Sequence, residues 1–251
     1  MRMKNQNGNA LFLILIAVAL FAALSYAVTN SGRGGSGIDR EQAQIAAGQI
    51  VQYASSMEQA IMRLRLTNGC ADDEFSFQRD WDGDGTIEDN AEDVRNIGAP
   101  SDKTCHVYDS NGANISWMEP KAEWLDGVTG ETWYFPRTSC IEDLGKNGTG
   151  TGANGFCDAD SDATELLITL PGISETLCAA INKGLYKDDT IPEDVTHWAS
   201  GGNFNGNYSM SQEIGDSAQM MQAKPAYCFK TNDAAAHLPG IYVFYHVLLA
   251  R

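Results

Sequence analysis

Residues 10–28 read ALFLILIAVALFAALSYAV, an apolar run that follows Met-Arg-Met-Lys-Asn-Gln-Asn-Gly and precedes a glycine-rich stretch at 29–37, TNSGRGGSG. No charge occurs between Lys4 and Arg33. Nineteen residues at about 1.5 Å rise give a helix of about 28 Å, close to the roughly 30 Å hydrocarbon core of a bilayer, so the run is long enough to span one. Arg2 and Lys4, the only charges ahead of it, hold the N-terminus on the cytoplasmic side and place everything after Val28 outside. Three fates stand open for it. The basic start, the apolar core and Ser25-Tyr26-Ala27 fit a secretory signal removed after Ala27. Left whole, the run is an uncleaved anchor. A cut after Gly8, before Asn9, makes 1–8 a short basic leader and leaves the apolar helix on the mature protein.

Composition sets the compartment and excludes one class of partner. The 251 residues include 33 acidic and 17 basic ones, a net charge of −16; the three basic residues before position 38, with no acid among them, leave −19 on the rest. A surface that negative repels phosphate backbones, which argues against nucleic-acid binding. Cys70, Cys105, Cys140, Cys157, Cys178 and Cys228 form an even set with no CxxC pair, and behind an export segment they read as disulfides. Six cysteines allow fifteen connectivities, and sequence does not choose among them. Pairing neighbours (Cys70–Cys105, Cys140–Cys157, Cys178–Cys228) is the working expectation.

Downstream, the glycines of 29–37 favour an irregular hinge. Asp39 then caps or charges the start of a second helix running to about Leu66, where Asn68-Gly69 supplies a stop. In it Ala43, Ala47, Ile50, Ala54, Met57, Ile61 and Leu64 recur at spacings of three and four, an apolar stripe to be buried against a sheet or in a coiled-coil seam. Gly48, in mid-helix, weakens it by about 1 kcal/mol relative to Ala. Residues 70–103 are polar and acidic, with ten acids from Asp72 to Asp93 against Arg79. Strand-like runs follow at 106–108, 115–118, 131–135, 166–170, 227–230 and 240–249, rich in β-branched and aromatic residues. They predict an antiparallel sheet. Pro171-Gly172 is expected to end one strand, and Ser174 to cap a helix over 175–185. Residues 147–155 and 201–207 read as surface loops.

Taken together these features resemble a type IV pilin or pilin-like, prepilin-type protein. The resemblance rests on the basic leader ending in Gly8, the apolar helix after it, the amphipathic helix to Leu66, a sheet-forming head and a late cysteine pair. Residues 167–181, LITLPGISETLCAAI, are similar to the strand, proline turn and cysteine-bearing helix of type IVb pilins. The likeness covers the first 66 residues well and 165–251 loosely. It implies an α+β fold, with a transmembrane and filament-core helix at 9–28 (Leu13, Ile16, Leu20 and Leu24 among its packing residues), a hinge at 29–37 and an extracytoplasmic head at 38–251. Within the head, helix 39–66 packs on an antiparallel sheet with disulfides and long loops. It further implies a Cys178–Cys228 bond closing a loop near the C-terminus. Function follows by the same resemblance: leader removal by a prepilin peptidase, storage in the inner membrane, and extraction by an assembly machinery into an extracellular filament of like or related pilin subunits.

The sequence departs from the pilin pattern at two places. Asn9 stands where pilins usually carry Phe or Met, and Leu13 stands where they carry Glu. A carboxylate inside a bilayer is costly unless it meets a partner such as a neighbour's N-terminal ammonium, so without it docking relies on apolar packing. A minor or tip subunit, or a pseudopilin of a secretion system, is therefore an alternative to a major pilin. A membrane-tethered or secreted calcium-binding adhesion domain is another.

The sharpest local motif is Asp80-Trp81-Asp82-Gly83-Asp84-Gly85-Thr86-Ile87-Glu88. Carboxylates at Asp80, Asp82 and Asp84 before a sharp glycine turn converge oxygens on one point, with the Thr86 carbonyl and Glu88 completing a set suited to Ca²⁺. Ala91 stands where an EF-hand needs Glu, so the loop reads as a calcium loop of another kind or as a solvated acidic turn. A second DxDxD at 158–162 has Ala163 in place of the glycine. No catalytic constellation accompanies them: His106, His197, His237 and His246 are scattered, and HExxH, GxSxG and phosphate-cradling loops are missing, so the chain is not read as an enzyme. Trp117, Trp124, Trp133 and Trp198 read as core or interface packing before any binding groove.

Overall fold

The computed structural model describes residues 12, 14–22, 35–79, 94–127, 132–145, 164–194, 203–209, 212–215, 219–232 and 240–251. The chain divides into two compact units, 1–42 and 43–251. In the first, residues 14–22 are helical and fully clad in exposed apolar side chains, among them Ile14, Leu15, Val18 and Phe21. Ile16 and Leu20, expected as packing residues, are 41% and 65% exposed. Gly8, Asn9, Leu13 and Leu24 lie outside the described residues. No described helix is long and apolar enough to cross a membrane.

The expected hinge gives way to helix at its C-terminal end, because α1 (Gly35–Arg63) begins at Gly35 and takes in Gly37 and Asp39. A π turn, Leu64–Asn68, continues it, and Gly69 at φ +73 stops it by donating its N–H back to the Leu64 carbonyl. Ile50, Ala54, Met57, Ile61 and Leu64 are wholly buried. That stripe stabilises the fold by about 1.5–3 kcal/mol for each large side chain removed from water.

It packs on a four-stranded sheet of order β2-β6-β5-β3, where β2 is Leu166–Ile173, β3 Glu193–Asp194, β5 Ala226–Thr231 and β6 Tyr242–Leu249. The sheet is mixed and not purely antiparallel: β2–β6 and β5–β6 run antiparallel, while β3 joins the edge parallel to β5. Alternation along β6 explains its continuous apolar sequence. Phe244 and Leu248 join the cluster that includes the α1 stripe, while Val243, Tyr245 and Val247 join a second cluster with Leu167, Tyr227 and Phe229. Both faces are covered, so neither needs polar residues. A separate pair of parallel strands, β1 (Ser139–Ile141) and β4 (Gln212–Ile214), contributes Ile141 and Ile214 to the second cluster.

Pro171-Gly172 does not end β2. Pro171 stays opposite Val243, and Gly172, at φ +72, takes up a register shift before Ile173 opposite Tyr242. β2 is an edge strand whose outer groups are met one by one: Tyr134 and Thr169 exchange backbone hydrogen bonds at 2.9 and 2.8 Å, and Asp126 N donates to Gly172 O at 2.7 Å. Proline, lacking an N–H, fits between those contacts.

Ser174 caps α2 (Glu175–Tyr186), its Oγ accepting from Leu177 N. Leu177, Cys178 and Ile181 turn inward, and Cys178 is bonded to Cys228 on β5. Beside that bond Asn182 acts as a strand substitute: its Oδ1 accepts from Cys228 N at 2.9 Å and its Nδ2 donates to Cys228 O at 2.8 Å. Cys70 is bonded to Cys105. Cys140 is disulfide-bonded too, while Cys157 lies outside the described residues.

Two expected strands do not form: 106–108 opens a knot of turns with an isolated bridge at His106, 115–118 is irregular, and among the described residues of 131–135 only Tyr134 makes a bridge. Ala113 N and Ile115 N fold back onto His106 O and Val107 O, and Asn114 sits at φ +51. With backbone groups met so locally, a ladder has nothing left to satisfy. Trp124 and Trp133 are core residues and Trp117 is half-buried under Arg79, as packing roles require; Trp198 lies outside the described residues.

Candidate subunit interface

The face of α1 opposite the sheet carries the feature that the core does not explain. Ile45, Gly48, Gln52, Ser55, Gln59 and Met62 succeed one another at spacings of three and four, which aligns them along one side of a helix for about 25 Å. All but the half-buried Ser55 are exposed, and Ile45 is 63% so. None is charged. From Gln42 to Met62 the sole ionisable side chain that is charged at neutral pH is Glu58, in a protein that is 20% Asp, Glu, Lys and Arg. Glu58 is turned from that stripe: its Oε2 lies 2.8 Å from His246 Nε2 on β6. An ordinary solvent-facing helix side is charged. Depletion of charge with retained apolar ends, Ile45 and Met62, is instead the composition of a surface that another protein covers.

A groove of about 610 Å³ runs along the flank of this stripe, between α1 and α2. Its apolar walls are Ala47 and Val51 on one side and Ala180, Ile181 and Leu185 on the other, with Lys183 and Lys187 at the rim. Gly48 and Gly184 open it further; a Cβ at either would meet nothing within 4 Å. No internal packing demands glycine at position 48. Its absent side chain leaves helix backbone open to close approach by a second helix.

The remaining sequence-derived sites are distributed as follows. Asp80, Asp82, Asp84, Thr86 and Glu88 lie outside the described residues, as does the second acidic motif at 158–162. Among the described residues no group of His, Cys, Asp and Glu is placed to hold a metal ion. His246, expected as a packed or edge side chain, is buried and engaged with Glu58. The charge-free stripe was readable in principle from the sequence: a run of 21 residues with one acid is unusual for an exposed helix in an acidic chain. Periodicity draws attention to the apolar residues of a helix and away from the charges missing on its other side. No family model, curated protein or solved structure matches the chain.

Proposed function

We propose that this chain is a structural subunit of a type IV pilus-like extracellular filament, held in the inner membrane before assembly. The observation that carries the reading is the charge-free outer face of α1 on a protein of net charge −16. Copies so acidic repel one another, and a surface without charge is where they can meet at least cost. Supporting it are the apolar helical residues 14–22, which need a non-aqueous neighbour, and the head in which α1 lies on a disulfide-stapled sheet.

In this reading a prepilin peptidase cuts after Gly8 and the helix from Asn9 is stored in the bilayer. An assembly machinery then draws it out, and apolar packing replaces lipid contact in the filament core. The head forms the outer surface, and the 80–88 loop adds a calcium-dependent staple that raises the melting temperature when calcium is supplied. Leu13, without a carboxylate to set register, favours a minor or tip position as the second reading. Determining the mature N-terminus tests the proposal. Asn9 is expected; Val28, the mark of a freed secreted domain, or Met1, the mark of an uncleaved anchor, overturns it. Sheared surface filaments, in which a major subunit dominates and a minor one is scarce, separate the two subunit roles.

A further inference from the structure

The uncharged stripe on the outer side of α1 does not stop at Met62. One further step of four reaches Leu66, on the π turn that ends the helix, so the spacing of three and four that begins at Ile45 continues unbroken to the tip. The two ends of the stripe differ in shape. At Gly48 and Gln52 it forms one wall of the groove between α1 and α2, which is concave and apolar. At the other end it stands out into water, where Leu66 is 77% exposed and Met62 is exposed beside it. Ile97, 85% exposed, belongs to the same end, because Arg65 reaches Asp72 at 3.3 Å and Asn96 Nδ2 donates to Asp73 O at 2.6 Å.

A single leucine in water is ordinary on a protein surface. Here three large apolar side chains share the tip at which an uncharged stripe ends, and the fold uses neither that tip nor the groove. From Gly48 to Leu66 the helix advances about 27 Å, so tip and groove of one subunit cannot meet each other.

We propose that the groove between α1 and α2 receives the Leu66 tip of a second copy of this chain. The inference rests on reading the chain as a filament subunit, and it names a contact by which copies join. Knob and hole at different places on one surface make a heterologous contact. Each copy that docks its tip leaves its own groove open for the next, so the series has no closing step.

Shape and charge both suit this occupant. A Cβ at Gly48 or Gly184 would meet nothing within 4 Å, so the groove is open between its walls of Ala47, Val51, Ala180 and Leu185. Lys183 and Lys187 are the only charged residues among the described ones that line it. Lys183 Nζ lies 3.5 Å from Asp189 Oδ2, whereas Lys187 is exposed, its Nζ 3.5 Å from the Gly184 carbonyl oxygen. At the tip, Arg65 is engaged with Asp72, Arg63 donates to the Ala113 carbonyl, and Glu74 accepts from Ala71 N at 2.8 Å. Asp102 accepts from Thr104, and Asp73 is exposed. Docking sets Asp73 of one copy against Lys187 of the next, opposite signs on a protein whose net charge of −16 makes copies repel elsewhere.

Photocrosslinking of the intact chain tests this. With a benzophenone amino acid at position 66, irradiation of membranes and of sheared surface fractions is expected to give a covalent dimer. Its joined peptide should link position 66 of one copy to residues 44–52 or 180–187 of another. Gly184→Phe fills the groove at an exposed position and is expected to lower the dimer yield about tenfold, with Cys178–Cys228 still oxidised and the membrane pool unchanged. Lys187→Glu should lower it about threefold, the scale of one exposed ion pair, and Asp73→Lys in the same chain should restore it. A link from 66 to 66, a link to any other surface, no dimer in either fraction, or a yield that Gly184→Phe leaves unchanged overturns the proposal. The filament reading is judged separately. The mapped dimer in a chain whose mature N-terminus is not Asn9 upholds the contact and removes the filament, while filaments that carry the chain without that link uphold the filament and remove the contact.

Discussion

Along α1 the side turned to the sheet and the side turned away repeat the same spacing with opposite consequences. Ile50, Ala54, Met57 and Ile61 lose all exposure, and their burial holds helix to sheet. Ile45, Gln52, Gln59 and Met62 remain in water, yet they are as free of charge as the buried set. A helix that only needed solubility would carry Lys and Glu there, so the difference teaches that the outer side is shaped by something other than folding. Stability lives on one side, and assembly, in the function proposed above, lives on the other.

The harshest way to break that contrast is to place the same charge on each side. Ile61→Asp buries an unpaired carboxylate and removes a core side chain, a cost above about 5 kcal/mol, and is expected to yield no folded head by circular dichroism. Gln59→Asp, two residues away, is expected to change stability by less than about 0.5 kcal/mol in a urea melt. Equal losses from the two substitutions would erase the distinction.

Next in size is a buried acid on the sheet side of the molecule. Glu165, at the foot of β2, accepts from Ile141 N at 3.0 Å through Oε2, while Oε1 has no hydrogen-bond partner among the described residues. Burial raises its pKa to about 8, against the smaller opposing effects of its backbone hydrogen bonds and of Arg251. A carboxyl whose folded pKa lies above its unfolded one contributes stability in full below about pH 4.5. That stability is lost as pH rises through about 8. The loss amounts to at most roughly 5 kcal/mol, from about 1.4 kcal/mol per pH unit. Melts from pH 4 to 9 should show this decline, and Glu165→Gln should flatten it. An unchanged slope in that variant would place the titration elsewhere.

Smaller again is the polar seam beside the late disulfide. Asn182→Leu leaves the Cys228 N–H and C=O without partners, at about 1–3 kcal/mol each, and should lower the urea midpoint while Cys178–Cys228 stays oxidised. No shift would mean that water replaces the amide without cost.

These residues also mark how far the sequence could be read. The inner stripe of α1, the stop at Gly69, the cap at Ser174 and the long strands β2, β5 and β6 follow from periodicity and capping, which are local. The parallel seating of β3 does not, because it depends on where residues 193–194 land after a turn of the chain. The same holds for β2 running on through Pro171, which is possible only at an edge whose other contacts skip that residue. Residues 106–118 misled through composition: β-prone side chains are held there by Gly112 and Asn114 in turns fixed against His106 and Asp109. The bonds of Asn182 to Cys228 are a tertiary fact with no pattern in the sequence to announce it.

The outer side of α1 carries the proposed contact between copies, and the double variant Gln52→Glu, Gln59→Glu tests it most directly. Each new carboxylate stays in water in the single subunit, so the head should fold and reach the membrane at wild-type levels. Brought against neighbouring copies, the same charges repel. The measurement is the amount of this chain in sheared surface filaments relative to the amount in membranes. A near-complete loss from filaments with the membrane pool intact is expected. Filament incorporation at the wild-type ratio would contradict it.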